Sequence, residues 1–390
     1  MSHRSKTWTP IAVGFALLGT TVACRPQPAA PVAAESGESE TPRLRTTDGQ
    51  LAAGNFQAEL AQAERQWQAR PGDVVRARAL IEHLLAHAQF FGTLSDYDRA
   101  RAVAARIAAL APDRAESYLL RARVAAALHQ FSSALVDLDE AHRRGGDEDQ
   151  ILHARVGIWQ ATGQFDRAIE PLRAWRRQRP DLLTYAAEAS ALADQHQYAK
   201  AATTYDQALR HYPDVSPFAV AWIEFQAGHA WESAGRSDRA QPLLESAVAR
   251  LPIYASATAH LARLVAAFGD PAGMQRAATL LEGVRRQSDD PEYTGQLGAL
   301  YRQMGRAADG GRLIREATAR YETLLRSHPE AFFDHAARFY LHVAGDPARA
   351  RSLAEKNLVV RPTMDARDLL AEAMRAVPSA DTTADSTGGR

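Results

Sequence analysis

A single cysteine, Cys24, stands in the whole sequence. With no second thiol, an intramolecular disulfide, a cysteine-based zinc site and a CxxC redox pair are all excluded. Lysine is nearly as scarce, with only Lys6, Lys200 and Lys356, so almost all positive charge is Arg. The 46 basic and 46 acidic side chains cancel to a formal net charge of zero. That leaves no electrostatic footprint for nucleic acid or for an acidic membrane surface. Aromatic residues are few, at 7%, as suits helices that pack closely on small side chains. Enzyme signatures are also missing: there is no GxSxG elbow, no GxxxxGK phosphate loop, no HExxH and no dinucleotide GxGxxG. Neither a catalytic site nor a cofactor is expected.

The N-terminus reads as an export signal. His3, Arg4 and Lys6 form a basic n-region without an acid, and Ile11 to Leu18 is apolar. This stretch is shorter than the roughly 20 apolar residues that span a bilayer. It ends in Thr21-Val22-Ala23-Cys24, which resembles a bacterial lipoprotein signal. That resemblance implies cleavage after residue 23 and lipidation of Cys24, which would anchor the chain to a membrane. Thr21 stands where such signals usually carry Leu. An ordinary cleavable secretory signal is the alternative reading of the same residues. Arg25 in place of Asp after the cysteine implies the outer membrane, facing the periplasm. Residues 24–54 then read as the lipidated cysteine and a disordered tether. They are rich in Pro, Ala, Ser, Thr, Glu and Gly and lack aromatics, too little apolar surface to order themselves. About thirty flexible residues span roughly 30 Å.

The rest of the chain repeats. Ala100, Ala134, Ala168, Ala201, Ala240, Ala277, Gly310 and Ala350 recur at about 34-residue spacing, stretched in the later copies. Four residues after each small anchor stand Ala104, Leu138, Leu172, Tyr205, Leu244, Leu281, Ile314 and Ala354. Seven after it stand Ile107, Ala141, Trp175, Ala208, Ala247, Val284, Ala317 and Asn357. Such spacing puts all three positions on one helical face, the buried stripe of the second helix in each unit. Pro or Gly closes most units, at Pro112, Gly146, Pro180, Pro213, Pro252 and Pro362. The first helix ends in Gly163, Gly235, Gly305 and Gly345 in several units, where a tight turn needs positive φ.

These units resemble tetratricopeptide repeats, with small residues midway along the first helix at Ala122, Ala189, Gly228 and Gly298. The resemblance implies an all-α, right-handed solenoid of helical hairpins. About eight units are expected over residues 81–363, within a folded region of 55–376. Unit seven departs most, with Gly310 at the anchor and a second helix expected to run on to Ser327. Capping helices are expected at each end, as a stack with apolar faces requires. One has the stripe Phe56, Leu60, Ala63 and Trp67; the other turns Leu369, Leu370, Ala373 and Met374 inward. Residues 377–390 read as a disordered tail.

In such arrays the first helices line a concave surface. The resemblance places Leu119, Arg123, His153, Gln160, Ser190, Asp194, Trp222, Phe225, His229, Glu232, Phe332, His335, Phe339 and His342 there. Exposed aromatics in a groove suit an extended peptide or a partner helix. A register shift near Pro217 or Pro329 would turn the same residues into core. Some relatives grip a chaperone's C-terminal carboxylate with Lys and Asn at fixed groove positions. Here those positions hold Leu119, Arg123, His153 and Gly157, so that activity is not implied.

The expected function is a membrane-anchored periplasmic scaffold for an unidentified protein partner. Relatives of this layout help outer-membrane protein, pilus or secretin assembly. A small-ligand or metal-binding envelope protein is the alternative, since His83 and His87 share a helical face, as do His335 and His342. A zinc site needs three or four converging ligands, and Glu82 beside the first pair does not supply them. Asp147-Glu148-Asp149 lacks the alternating oxygens and mid-loop Gly of a calcium loop and reads as favourable charge at a helix N-terminus.

Overall fold

In a computed structural model, residues 44–377 are described. Among them are eighteen α-helices, one π-helical turn and no strand. Helix α1 (Gly49–Ala69) caps the array. The first two hairpins are α2 (Val74–Phe91) with α3 (Ser95–Leu110), and α4 (Ala115–Ala127) with α5 (Phe131–Arg143). The next two are α6 (Glu148–Ala161) with α7 (Phe165–Gln178), and α8 (Leu182–Asp194) with α9 (Tyr198–Arg210). The fifth and sixth are α10 (Pro217–Ser233) with α11 (Ser237–Arg250), and α12 (Ala255–Ala267) with α13 (Pro271–Gln287). The seventh pairs α14 (Pro291–Gln303) with α15 (Ala307–Ser327). In the eighth, α16 (Pro329–Phe339) runs through the π turn Tyr340–Ala344 to meet α17 (Pro347–Val360). Helix α18 (Met364–Ala376) closes the stack. Eight hairpins between two capping helices is the architecture that the repeat implies.

The stripe that the anchors mark forms the core. Every alanine anchor is fully buried, and so are the positions four residues on. Gly310 is buried as well. The exception on the stripe is Trp175, which stays half-buried. Its ring stacks on His153 of the preceding helix, centroid to centroid 3.6 Å. The acidic run at 147–149 starts α6: Asp147 Oδ1 accepts from the Gln150 amide at 2.9 Å, and Glu148 and Asp149 fill the first turn. Negative charge there meets the positive end of the helix dipole.

Two boundary expectations need correction. The first capping helix begins at Gly49, inside the stretch read as tether. Asp48 caps it by accepting from Gln50 and Leu51 at 3.0 Å each, a signal of the kind that starts helices. The preceding residues are also held, with Leu44 O and Thr46 Oγ1 both accepting from Arg250 Nη1. In the last helix Leu369 and Ala373 turn inward, but Met374 is 51% exposed. No further unit follows to cover it among the described residues.

The solenoid also closes on itself. The turn after α2 meets the turn before α14: Ser288 Oγ donates to the Gly92 carbonyl at 2.6 Å, 196 residues away. Asp289 accepts from the Leu94 and Ser95 amides. Farther along, His129 Nδ1 donates to the Glu330 carbonyl across 201 residues. Gly163 sits so close to the α17–α18 turn that a Cβ would fall 2.6 Å from the Pro362 carbonyl oxygen. Its φ of 71° is also one that L side chains rarely adopt. One superhelical turn therefore takes about 200 residues, and successive turns touch edge to edge.

Candidate partner-binding face

First helices of neighbouring units meet one another, α2 with α4, α4 with α6, α8 with α10 and α14 with α16, and polar side chains join them in pairs. Between α2 and α4, Arg123 Nη1 donates to Glu82 Oε1 at 3.0 Å. Between α6 and α8, Gln160 Nε2 donates to Ser190 Oγ at 3.0 Å and to Asp194 Oδ2 at 2.6 Å. Burial pushes the Asp194 carboxyl up to about 7 against the opposing effect of that Gln160 bond. Between α10 and α12, Glu232 meets His260 Nδ1 and an Arg263 guanidinium nitrogen, each at 2.8 Å. Burial alone would raise the Glu232 pKa, but His260 and Arg263 hold it down to about 2.

The fourth pair is the most charged. His335 Nδ1 on α16 contacts Glu292 Oε2 on α14 at 3.0 Å. Burial disfavours its charge, yet Asp334, Glu292 and Asp290 raise its pKa to about 9, so it is an imidazolium at neutral pH. Asp290 is pushed up by burial and by Glu292. Asp334 accepts from Arg361 Nη1 at 2.9 Å. Despite its burial, His335 and Arg361 hold its pKa near 2. Arg338, half-buried on the same helix, feels Asp334, Asp365, Glu372 and Glu292.

The aromatic groove is corrected. Trp222, Phe332 and Phe339 are 6%, 7% and 4% exposed and belong to the core. Trp222 meets Tyr205 edge-on at 6.5 Å. Phe339 packs on Tyr321 at 4.8 Å and fills space that a side chain on Gly295 would need. Both α10 and α16 begin with a proline, and these rings turn toward the preceding hairpin, Trp222 toward Tyr205 on α9 and Phe339 toward Gly295 on α14 and Tyr321 on α15. Gln160 and His229 are buried too, at 1% and 8%. Burial, then His260, lowers the His229 pKa to about 3, so that ring is neutral. His153 is exposed and stacks on Trp175. Leu119, Arg123, Phe225, Glu232 and His335 remain half-buried, and His342 is exposed, 3.8 Å from Glu372.

The histidine pair of α2 is occupied within the fold. His83 Nδ1 contacts the Ala79 carbonyl at 2.7 Å, while His87 Nδ1 meets Asp96 Oδ2 at 2.5 Å. Phe56 of the capping helix lies beside both rings. Among the described residues no three His, Cys, Asp or Glu side chains converge as a metal site.

Sequence reasoning missed His129, His196, His260, Arg263, Glu292, Asp334, Arg338, Arg361 and Asp365. For two of them a signal existed: His129 and His196 occupy the turn position that other units give to glycine. Of the others, His260, Arg263, Glu292 and Asp365 meet partners one or more units away, while Asp334 and Arg361 pair within the last unit.

Similar folds are found among solved structures. A Rap protein complexed with competence and sporulation factor superposes with a TM-score of 0.50 at 13% identity, covering 83% of this chain and 98% of that one. The fold is a tetratricopeptide-type solenoid. The human IFIT1 dimer with PPP-AAAA gives 0.47 at 14% identity over 68% of each chain. The TPR domain of P58(IPK) gives 0.23 at 13% identity over 84% of this chain and 94% of that one. No protein-family model matches the sequence, and no curated protein matches it.

Proposed function

We propose that this protein is an interaction scaffold of the cell envelope whose inner face takes a segment of another protein. The inner stripe carries the reading. Arg123, Glu232, His335 and Arg338 present both signs of charge between apolar neighbours such as Leu119 and Phe225. A face of alternating sign suits a polypeptide, which brings backbone donors and acceptors and mixed side chains. It suits a polyanion poorly, because the carboxylates would repel it. The Rap structure, of like fold, holds competence and sporulation factor. Cys24 lies outside the described residues, and the lipoprotein-like signal around it supports anchorage by lipid on that thiol, in the outer membrane facing the periplasm. Among the described residues no helix is long and apolar enough to cross a membrane.

Photo-crosslinking in intact cells tests the reading. A crosslinker is placed at Leu119 or His342 on the inner face, or at Val359, which is 84% exposed on a second helix. Adducts from the first two positions and none from Val359 are expected. Adducts from Val359 alone would move the interface to the outer face and overturn the proposal. Small-ligand or metal binding through the histidines gains no support from the geometry, because each ring is engaged with a carboxylate, a carbonyl or another ring.

A further inference from the structure

The turn between the two helices of a unit requires a left-handed residue, which glycine supplies without steric cost. Gly163, Gly235 and Gly305 serve there, with φ between 71° and 80°. Two units use histidine instead, His129 at φ 55° and His196 at φ 57°. Among the described residues these are the only non-glycine residues with positive φ. A side chain persists in that region when its surroundings over-determine it, and both histidines make the same kind of contact. His129 Nδ1 donates to the Glu330 carbonyl at 3.2 Å. His196 Nε2 meets Asp365 Oδ1 at 2.9 Å, 169 residues away. A third histidine, His328 in the α15–α16 turn, sends Nε2 to Asp98 Oδ1 at 2.9 Å across 230 residues. All three bonds run between successive superhelical turns.

In a solenoid each unit packs on its neighbours in sequence, so the array is elastic along its length. Its pitch is then set by the side chains that cross from one superhelical turn to the next: Phe90 on Phe218 and Tyr254, Ser288 and Asp289 at the Gly92–Ser95 turn, and the three histidines. We propose that His129, His196 and His328 latch the superhelix shut, and that opening the seam they span controls access to the inner face. The latch stands on these contacts alone; its gating role rests on the partner-binding reading above.

The test uses the full chain with Cys24→Ser, which leaves two introduced cysteines as the only thiols. Spin labels replace the exposed Lys200 on α9 and Arg367 on α18, on opposite sides of the seam. The parent should give one narrow interlabel distance by pulsed electron resonance. His129→Gly with His196→Gly removes two latches while easing the backbone, so the helical circular dichroism should stay and the distance should lengthen and broaden. Should that variant not fold, Asp98→Asn with Asp365→Asn weakens the seam from the other side without touching the strained turns, and the same shift is expected. An unchanged distance distribution in the folded variant overturns the latch. Crosslinking from Leu119 separates the two claims. A higher yield in the opened variant supports gating, and an opened variant with the parent's yield overturns gating but leaves the latch. If neither protein gives any adduct, the partner-binding reading and the gate fail together, while the distance measurement still decides the latch.

Discussion

Gly298 on α14 and Gly310 on α15 cross backbone to backbone. A Cβ on Gly310 would lie 2.6 Å from the Gly298 carbonyl oxygen, and a Cβ on Gly298 would lie 3.0 Å from that of Gly310. The unit that departs most from the repeat in sequence is therefore closely packed at its anchor. Its second helix runs unbroken to Ser327.

Gly310→Ala should destabilise the fold. Alanine favours a helix over glycine by about 1 kcal/mol, but here its methyl meets main chain that cannot swing away. Overpacking typically costs 1–3 kcal/mol or about that, so urea denaturation should show a net loss. A gain in stability would mean that α14 and α15 can separate freely.

Trp222→Ala should behave as a core substitution. Removing a buried Trp costs about 3–5 kcal/mol, and the thermal midpoint should fall accordingly. Reduced partner capture by this variant would then report unfolding. Full stability with reduced capture would restore Trp222 to a binding face.

Stability should decline as pH rises from 7 to 9, chiefly through His335. Its folded pKa of about 9 lies above the usual 6.5. The stabilisation is thus complete below about 6.5 and lost as pH rises through 9, on the order of 3 kcal/mol. Thermal midpoints across that range should drop in the parent and flatten in His335→Gln. His196, raised by its bond to Asp365, adds a loss of the same sign as pH rises. A parent midpoint that is level from pH 7 to pH 9 would refute the charged state of His335.

Cys24→Ala should shift the protein from the membrane fraction to the soluble fraction. Lipid chains contribute about 0.8 kcal/mol per buried methylene, and none can attach without the thiol. Retention of the variant in the membrane would remove lipidation from the account of its anchorage.

Much of the fold was legible because its signals are short-range. Ala168, Leu172 and their counterparts repeat within one helix, and the hairpin each belongs to closes within about 34 residues. Candidate site residues were legible only as positions on first helices. Arg123, Glu232 and His335 are each paired with the first helix of a neighbouring unit. Trp222, Phe332 and Phe339 are buried in the core instead, and Trp222 and Phe339 pack on rings of the preceding hairpin, a contact between units that no pattern within one helix records.

The sequence alone determined the hairpins, their number, the buried stripe and the capping helices, since each follows from periodicity within about forty residues. Closure of the superhelix was decided only in three dimensions. Small rotations between units accumulate over about 200 residues before His129 meets Glu330 or Gly163 meets Pro362. No local pattern records that sum, so the pairing of distant turns and the engagement of their histidines emerge only from the assembled stack.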